Sequence, residues 1–132
     1  MPHSDTLRRI YTESLLADSL EIRKVEDNET HSSLRFKRNE FRMRAIEIWD
    51  KSEEQFFRIY YSGETAEEIK QSLASIPGMF RSNACTTDYR GDFVEVAKNL
   101  HAVLNSDVAL SAAKRNQVVS RRSGYEGLVL PD

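Results

Sequence analysis

The chain is poor in the residues that build cross-linked, membrane-spanning or phosphate-cradling proteins. It holds one cysteine, Cys85, among 132 residues. A single thiol excludes an internal disulfide framework and the small secreted scaffolds that need one. No apolar run approaches the roughly 18 residues that a membrane-spanning helix requires. The opening stretch, MPHSDTLRRIYTESLL, interrupts every apolar pair with polar side chains, so it has no signal-peptide core. The expectation is a cytoplasmic protein in a reducing compartment, away from membranes. Glycine is scarce at five residues and none cluster, so Walker and GxGxxG loops are absent, as are GxSxG and HExxH. An excess of one charge is also lacking: 19 basic and 21 acidic residues give a formal net charge of −2. Any nucleic-acid or membrane role must therefore come from a local patch.

What remains is an ordinary globular balance, 39% apolar and 30% charged, at a length that suits one domain. Ser4 or Asp5 can cap a first helix, with Leu7, Ile10, Tyr11, Leu15 and Leu16 at helical spacing as far as residue 17. The period then changes. Leu20 and Ile22 alternate with Glu21 and Arg23, which predicts a strand over 20–26, and residues 27–30 have turn chemistry. Residues 33–38 alternate again. Asn39-Glu40 suits a two-residue hairpin, followed by a strand over 41–49 with a bulge near Ala45-Ile46. Residues 50–54 form a polar loop, and 55–61, QFFRIYY, form the most aromatic strand.

Thr65 and Glu68 have the spacing of a capping box before Ile69, Leu73 and Ile76, and Pro77-Gly78 stops that helix. Residues 79–87 read as a short strand or as loop. Arg90-Gly91-Asp92 matches an adhesion tripeptide, yet Asp92 and Glu95 have capping-box spacing, so the stretch reads as a helix entry with Gly91 supplying the turn. Phe93, Ala97, Leu100 and Leu104 then share one face, and Ser106-Asp107 caps a last segment over 108–119. Strands follow one another without alternating helices, which excludes a parallel sheet. The expected fold is α+β: one domain over residues 1–119, a four-stranded antiparallel meander with an N-terminal helix and two or three C-terminal helices on one face. Residues 120–132 read as a flexible tail. The layout alone is similar to that of secretion-type chaperones and of some single-strand DNA-binding domains, without a shared motif.

Candidates for chemistry are few. His3, His31 and His101 have no Cys, His or carboxylate partner at metal-ligand spacing, so no metal or cofactor is expected. Cys85 with His101 as base and Asp88 as orienter is the one conceivable nucleophilic site. One stretch breaks a local rule. A two-residue hairpin at Asn39-Glu40 sets Lys37 opposite Arg42 and Arg35 opposite Arg44, two like-charged pairs that weaken a sheet. If Ile48 faces Phe57 in the core, Glu47 opposes Arg58 and Trp49 opposes Phe56. The outer face then presents Arg35, Lys37, Arg42, Arg44 and Arg58 among Trp49, Phe56 and Tyr60.

Cations interleaved with rings fit an acidic protein partner or a second copy of the chain, which makes the chain an adaptor-like or chaperone-like interaction module without enzyme activity. Single-stranded nucleic acid is the alternative ligand for the same face. A small enzyme using Cys85 and His101 ranks third.

Overall fold

The structure is a computed structural model that describes residues 2–63 and 67–122. The alternating segments pair into one sheet of six antiparallel strands: β1 (Ile22–Asp27), β2 (His31–Phe36), β3 (Met43–Lys51), β4 (Glu54–Tyr61), β5 (Met79–Ser82) and β6 (Thr86–Tyr89). Their spatial order is β1-β2-β3-β4-β6-β5. The helices are α1 (Ser4–Glu13), α2 (Glu67–Ala74), α3 (Phe93–Leu104) and α4 (Asp107–Arg122). The α+β class and the antiparallel sheet are as expected. The sheet has six strands rather than four, because residues 79–89 form a hairpin whose second strand pairs with β4. Every residue of β6 is buried, so this short segment is held on both faces.

The helices share one side of the sheet. Phe93 of α3 stacks on Phe57 of β4 at 5.5 Å. Leu73 of α2 accepts a hydrogen bond from the Tyr89 hydroxyl of β6. Helix α1 packs on β1, β2 and β3 and meets α3, while α4 packs on α2 and α3. The core is the layer between, with Leu34, Ile46, Ile48 and Ile59 below and Leu7, Ile69, Leu100 and Leu104 above. Among the described residues, no helix is long and apolar enough to cross a membrane.

Two sequence expectations fail for local reasons. The first helix does not continue to residue 17. Leu15 adopts the left-handed conformation (φ 66°), which ends α1 and lets Leu16 turn into the core while Leu15 stays 55% exposed. The β2–β3 connection is the second. It is a six-residue loop over 37–42, organised by Asn39. The Asn39 amide donates to the carbonyls of Lys37 (2.9 Å) and Met43 (2.8 Å), and its oxygen accepts from the backbone N–H of Phe41 and Met43. Met43 thus starts β3, and the pairing is Arg35 with Ala45 and Leu34 with Ile46. Lys37 opposite Arg42 and Arg35 opposite Arg44 do not occur. An irregularity does occur between Met43 and Ala45, beside the expected place.

Helix α4 runs to Arg122, three residues past the expected helix end at residue 119, and residues 123–132 lie outside the described part. The capping box at Thr65 also lies outside it. The helix entry at Asp92 is as expected: its carboxylate accepts from the backbone N–H of Val94 (3.0 Å) and Glu95 (3.3 Å), and Gly91 has φ 98°.

Burial of Tyr89 makes alkaline stability testable. Desolvation pushes its phenol up to about 12 from the usual 10. The unfolded phenol loses its proton first, so stability is intact below pH 10 and falls as pH rises toward 12. The expected loss from this group is about 2 kcal/mol by about pH 11.5. Urea unfolding across that range should give a shallower decline for Tyr89→Phe than for the native chain. Parallel declines in the two proteins would remove Tyr89 as the source.

Candidate binding face

The face opposite the helices carries no covering element among the described residues. Strand alternation decides what points there. With Ile46, Ile48, Phe57 and Ile59 in the core, Ala45, Glu47 and Trp49 of β3 and Phe56, Arg58 and Tyr60 of β4 face away from the helices. The β3–β4 register pairs Ile48 with Phe57, Glu47 with Arg58 and Trp49 with Phe56, as the sequence predicts. The turn of this hairpin is short, because Lys51 already pairs with Glu54 and Ser52 takes a positive φ of 59°.

Four rings form a row across the strands. His31 of β2 stacks on Trp49 at 4.0 Å with 9° between the planes. Trp49 lies parallel to Phe56 at 6.1 Å, and Phe56 meets the edge of Phe80 of β5 at 5.8 Å. Three arginines cap this row. The Arg58 guanidinium sits 4.8 Å from the Trp49 ring and 5.4 Å from Phe56. That of Arg81 sits 5.2 Å from Phe56 and 5.1 Å from Phe80, and that of Arg90 lies 3.8 Å from Phe80. Cation–π attraction of this kind strengthens as the cation loses water. Phe56 is only 3% exposed although no helix among the described residues covers it, because the guanidinium groups form its roof.

Carboxylates lock the arginines in place. Asp88 of β6 is fully buried and holds two of them. Arg58 binds it through both ends, Nε to Oδ1 at 2.7 Å and Nη2 to Oδ2 at 3.1 Å, while Arg81 Nε donates to Oδ2 at 2.6 Å. The bond to Asp88 pushes the Arg58 guanidinium pKa up, against the effect of burial. Arg90 pairs with Glu54, which holds that exposed carboxyl below its usual range. Glu47 accepts from Trp49 Nε1 at 3.0 Å and from the Ser33 hydroxyl, fixing the indole.

Of the residues named from sequence, Arg35, Trp49, Phe56, Arg58 and Tyr60 share this face. Lys37, Arg42 and Arg44 do not. Lys37 sits in the loop paired with Glu21 at 2.9 Å, and Arg42 and Arg44 lie at the loop end of the sheet. A like-charged cross-strand pair does exist, but elsewhere: Lys24 of β1 opposes Arg35, and Glu26 beside it takes the Lys24 ammonium at 3.1 Å. The face is therefore close to charge balance instead of strongly basic. His31, Phe80, Arg81, Asp88 and Arg90 complete the row without having been singled out for it from sequence. The one available signal was the acidic residue in TTDY, Asp88, at the position that pairs with Arg58 once β6 joins β4.

The Cys85, His101 and Asp88 constellation does not converge. Asp88 points to the open face, whereas His101 belongs to α3 in the helical layer, where its Nε2 meets Asn105 at 3.2 Å. Cys85 is half-buried in the β5–β6 turn. Among the described residues no group of three His, Cys, Asp or Glu is arranged to hold a metal. Among the described residues, the fold and face define an α+β unit with its helices on one side of the sheet and arginines capping the other. No family model, curated protein or solved structure matches the chain.

Proposed function

We propose that the chain is a non-enzymatic interaction module whose open sheet face takes an acidic protein partner. The observation that carries this reading is the ring row capped by Arg58, Arg81 and Arg90 on a face that no helix covers among the described residues. Rings below and carboxylates beside hold the guanidinium groups in fixed planes, so little side-chain freedom is lost when a carboxylate docks. Arg81 and Arg90 remain 40% and 56% exposed, which leaves N–H donors for a partner. Lys51 adds a third cation to the cleft where Arg81, Arg90 and Phe80 meet, against one carboxylate there, Glu54. Acidic side chains from a partner would find paired donors there with apolar ring edges between them. Stacking of nucleic-acid bases is less well served, because Phe56 lies under the arginines.

The test is fluorescence anisotropy with a labelled Asp/Glu-rich peptide and, separately, a labelled single-stranded oligonucleotide, each at two salt concentrations. Light scattering on the same samples gives the oligomeric state. Salt-sensitive peptide binding that disappears in Arg81→Glu/Arg90→Glu, with the fold retained, is the expected result. Preference for the oligonucleotide would move the face to nucleic acid. A concentration-dependent dimer split by the same variant would make the partner another copy of the chain. Absence of all three would end this reading.

A further inference from the structure

The two arginines that line the partner cleft are each held through Nε by a carboxylate, and the two carboxylates differ in exposure. Asp88 is fully buried, on Arg58 and Arg81. Glu54, on Arg90, is 44% exposed, and Arg90 itself is 56% exposed. A buried pair resists exchange, because a charge left alone there keeps its desolvation cost. An exposed pair parts at little cost, because water takes both ends. Of the two carboxylates, only Glu54 can yield its place to an incoming anion.

Its place lies inside the cleft. Lys51, Ser52, Phe80, Arg81 and Arg90 line a space of about 420 Å³ together with Glu54. That volume is in the range of small-ligand pockets and holds a whole acidic side chain. Phe80 gathers the cations: the Arg90 guanidinium lies 3.8 Å from its ring and that of Arg81 lies 5.1 Å from it. Glu54 reaches Arg90 from the β3–β4 hairpin, 36 residues away along the chain. A carboxylate from a distant segment thus already occupies this cleft. Exchange would swap one carboxylate for another on the same guanidinium, so the site needs no unpaired cation.

We propose that Glu54 is a built-in stand-in for the partner's acidic side chain: it occupies Arg90 in the free protein and is displaced when that side chain enters the cleft. This rests on the reading that the open face takes an acidic protein partner. Apparent affinity for the partner is then scaled down to the fraction of molecules in which Arg90 is free of Glu54.

The experiment is an anisotropy titration of the labelled Asp/Glu-rich peptide with the full chain and four variants at one salt concentration. Glu54→Gln should bind the peptide about two- to fivefold more tightly than the native chain. It should melt close to the native temperature, because the pair it breaks is exposed. Glu53 is its exposed neighbour in the turn and does not line the cleft. Glu53→Gln removes the same charge and should leave affinity nearly unchanged. Arg90→Gln should weaken binding, and adding Glu54→Gln to it should restore nothing, because no arginine is left to release. Binding by Glu54→Gln where the native chain shows none would be the same result in a stronger form. Native binding without a gain in Glu54→Gln would overturn the stand-in and leave the acidic-partner reading intact. An equal gain from Glu53→Gln, or a gain that persists without Arg90, would reduce the effect to net charge and overturn it as well. Failure of both the native chain and Glu54→Gln to bind would end both readings.

Discussion

Asp88→Ala is expected to lower the unfolding free energy by about 3–4 kcal/mol. The carboxylate is fully buried and is the shared counter-charge of Arg58 and Arg81. Without it, two guanidinium groups remain stacked over Trp49, Phe56 and Phe80 with no anion between them. Removing one partner of a buried pair costs more than the pair itself contributes, because the remaining charge keeps its desolvation cost. The value is set toward the lower end of that range because Arg81 is 40% exposed and can recover some water. Urea unfolding measures it directly. A loss under about 1 kcal/mol would mean that the arginines swing into solvent and that the ordered roof over Phe56 is not held in solution. The double change Asp88→Leu/Arg58→Met is the discriminating control. It replaces charge with apolar volume and should recover most of the loss. Asp88→Ala should also weaken the proposed acidic-partner binding, since Asp88 fixes the two arginines that would meet the partner.

The role of Asp88 shows where sequence reasoning reached its limit. The β3–β4 register was legible because Ile48 and Phe57 are both large and apolar, and one choice of phase buries them together. That choice also placed Trp49, Phe56 and Arg58 on the open side. Residues 79–89 were harder. An acidic residue inside a four-residue strand weighs against a strand by propensity. Its reason for being there is a pair of arginines, one on β4 and one on β5, and these become neighbours only after the hairpin has joined the sheet. The β2–β3 loop failed differently. Asn39-Glu40 suits a two-residue turn by itself, yet Asn39 binds Lys37, Phe41 and Met43 at once and so spans a six-residue loop. The change shifts the pairing by one residue, which separates Lys37 from Arg42 and Arg35 from Arg44. Helix ends carried stronger signals. Asp92 with Glu95 three residues on predicted the cap that the carboxylate makes, and this explains Arg90-Gly91-Asp92 without an adhesion partner. Arg90 in turn caps Phe80, which only the folded chain reveals.

Gly78→Ala is expected to destabilise by about 4 kcal/mol, combining roughly 1–3 for backbone conformation with roughly 1–3 for overlap. Gly78 follows the helix-stopping Pro77 and has φ 97°, which L side chains rarely adopt. A Cβ there would lie 2.3 Å from the Arg90 carbonyl oxygen, a backbone atom that cannot rotate away. A neighbouring hydrogen bond makes this approach structural: the Arg90 N–H donates to the Gly78 carbonyl at 2.9 Å, tying the start of β5 to the end of β6. Gly91 provides the comparison. Its φ is 98°, yet a Cβ there meets nothing within 4 Å. Gly91→Ala should therefore carry the backbone cost alone, about 1–2 kcal/mol. Urea unfolding of the two variants side by side separates strain from overlap, with Gly78→Ala expected to be worse by about 2 kcal/mol. The extra loss also predicts a local consequence. Pushing Gly78 and Arg90 apart would loosen the β5–β6 edge that carries Phe80, Arg81 and Asp88, so the Phe80 ring signals should broaden in spectra of Gly78→Ala and stay sharp in Gly91→Ala. Equal destabilisation in the two variants would show that the close approach of Gly78 to Arg90 relaxes in solution.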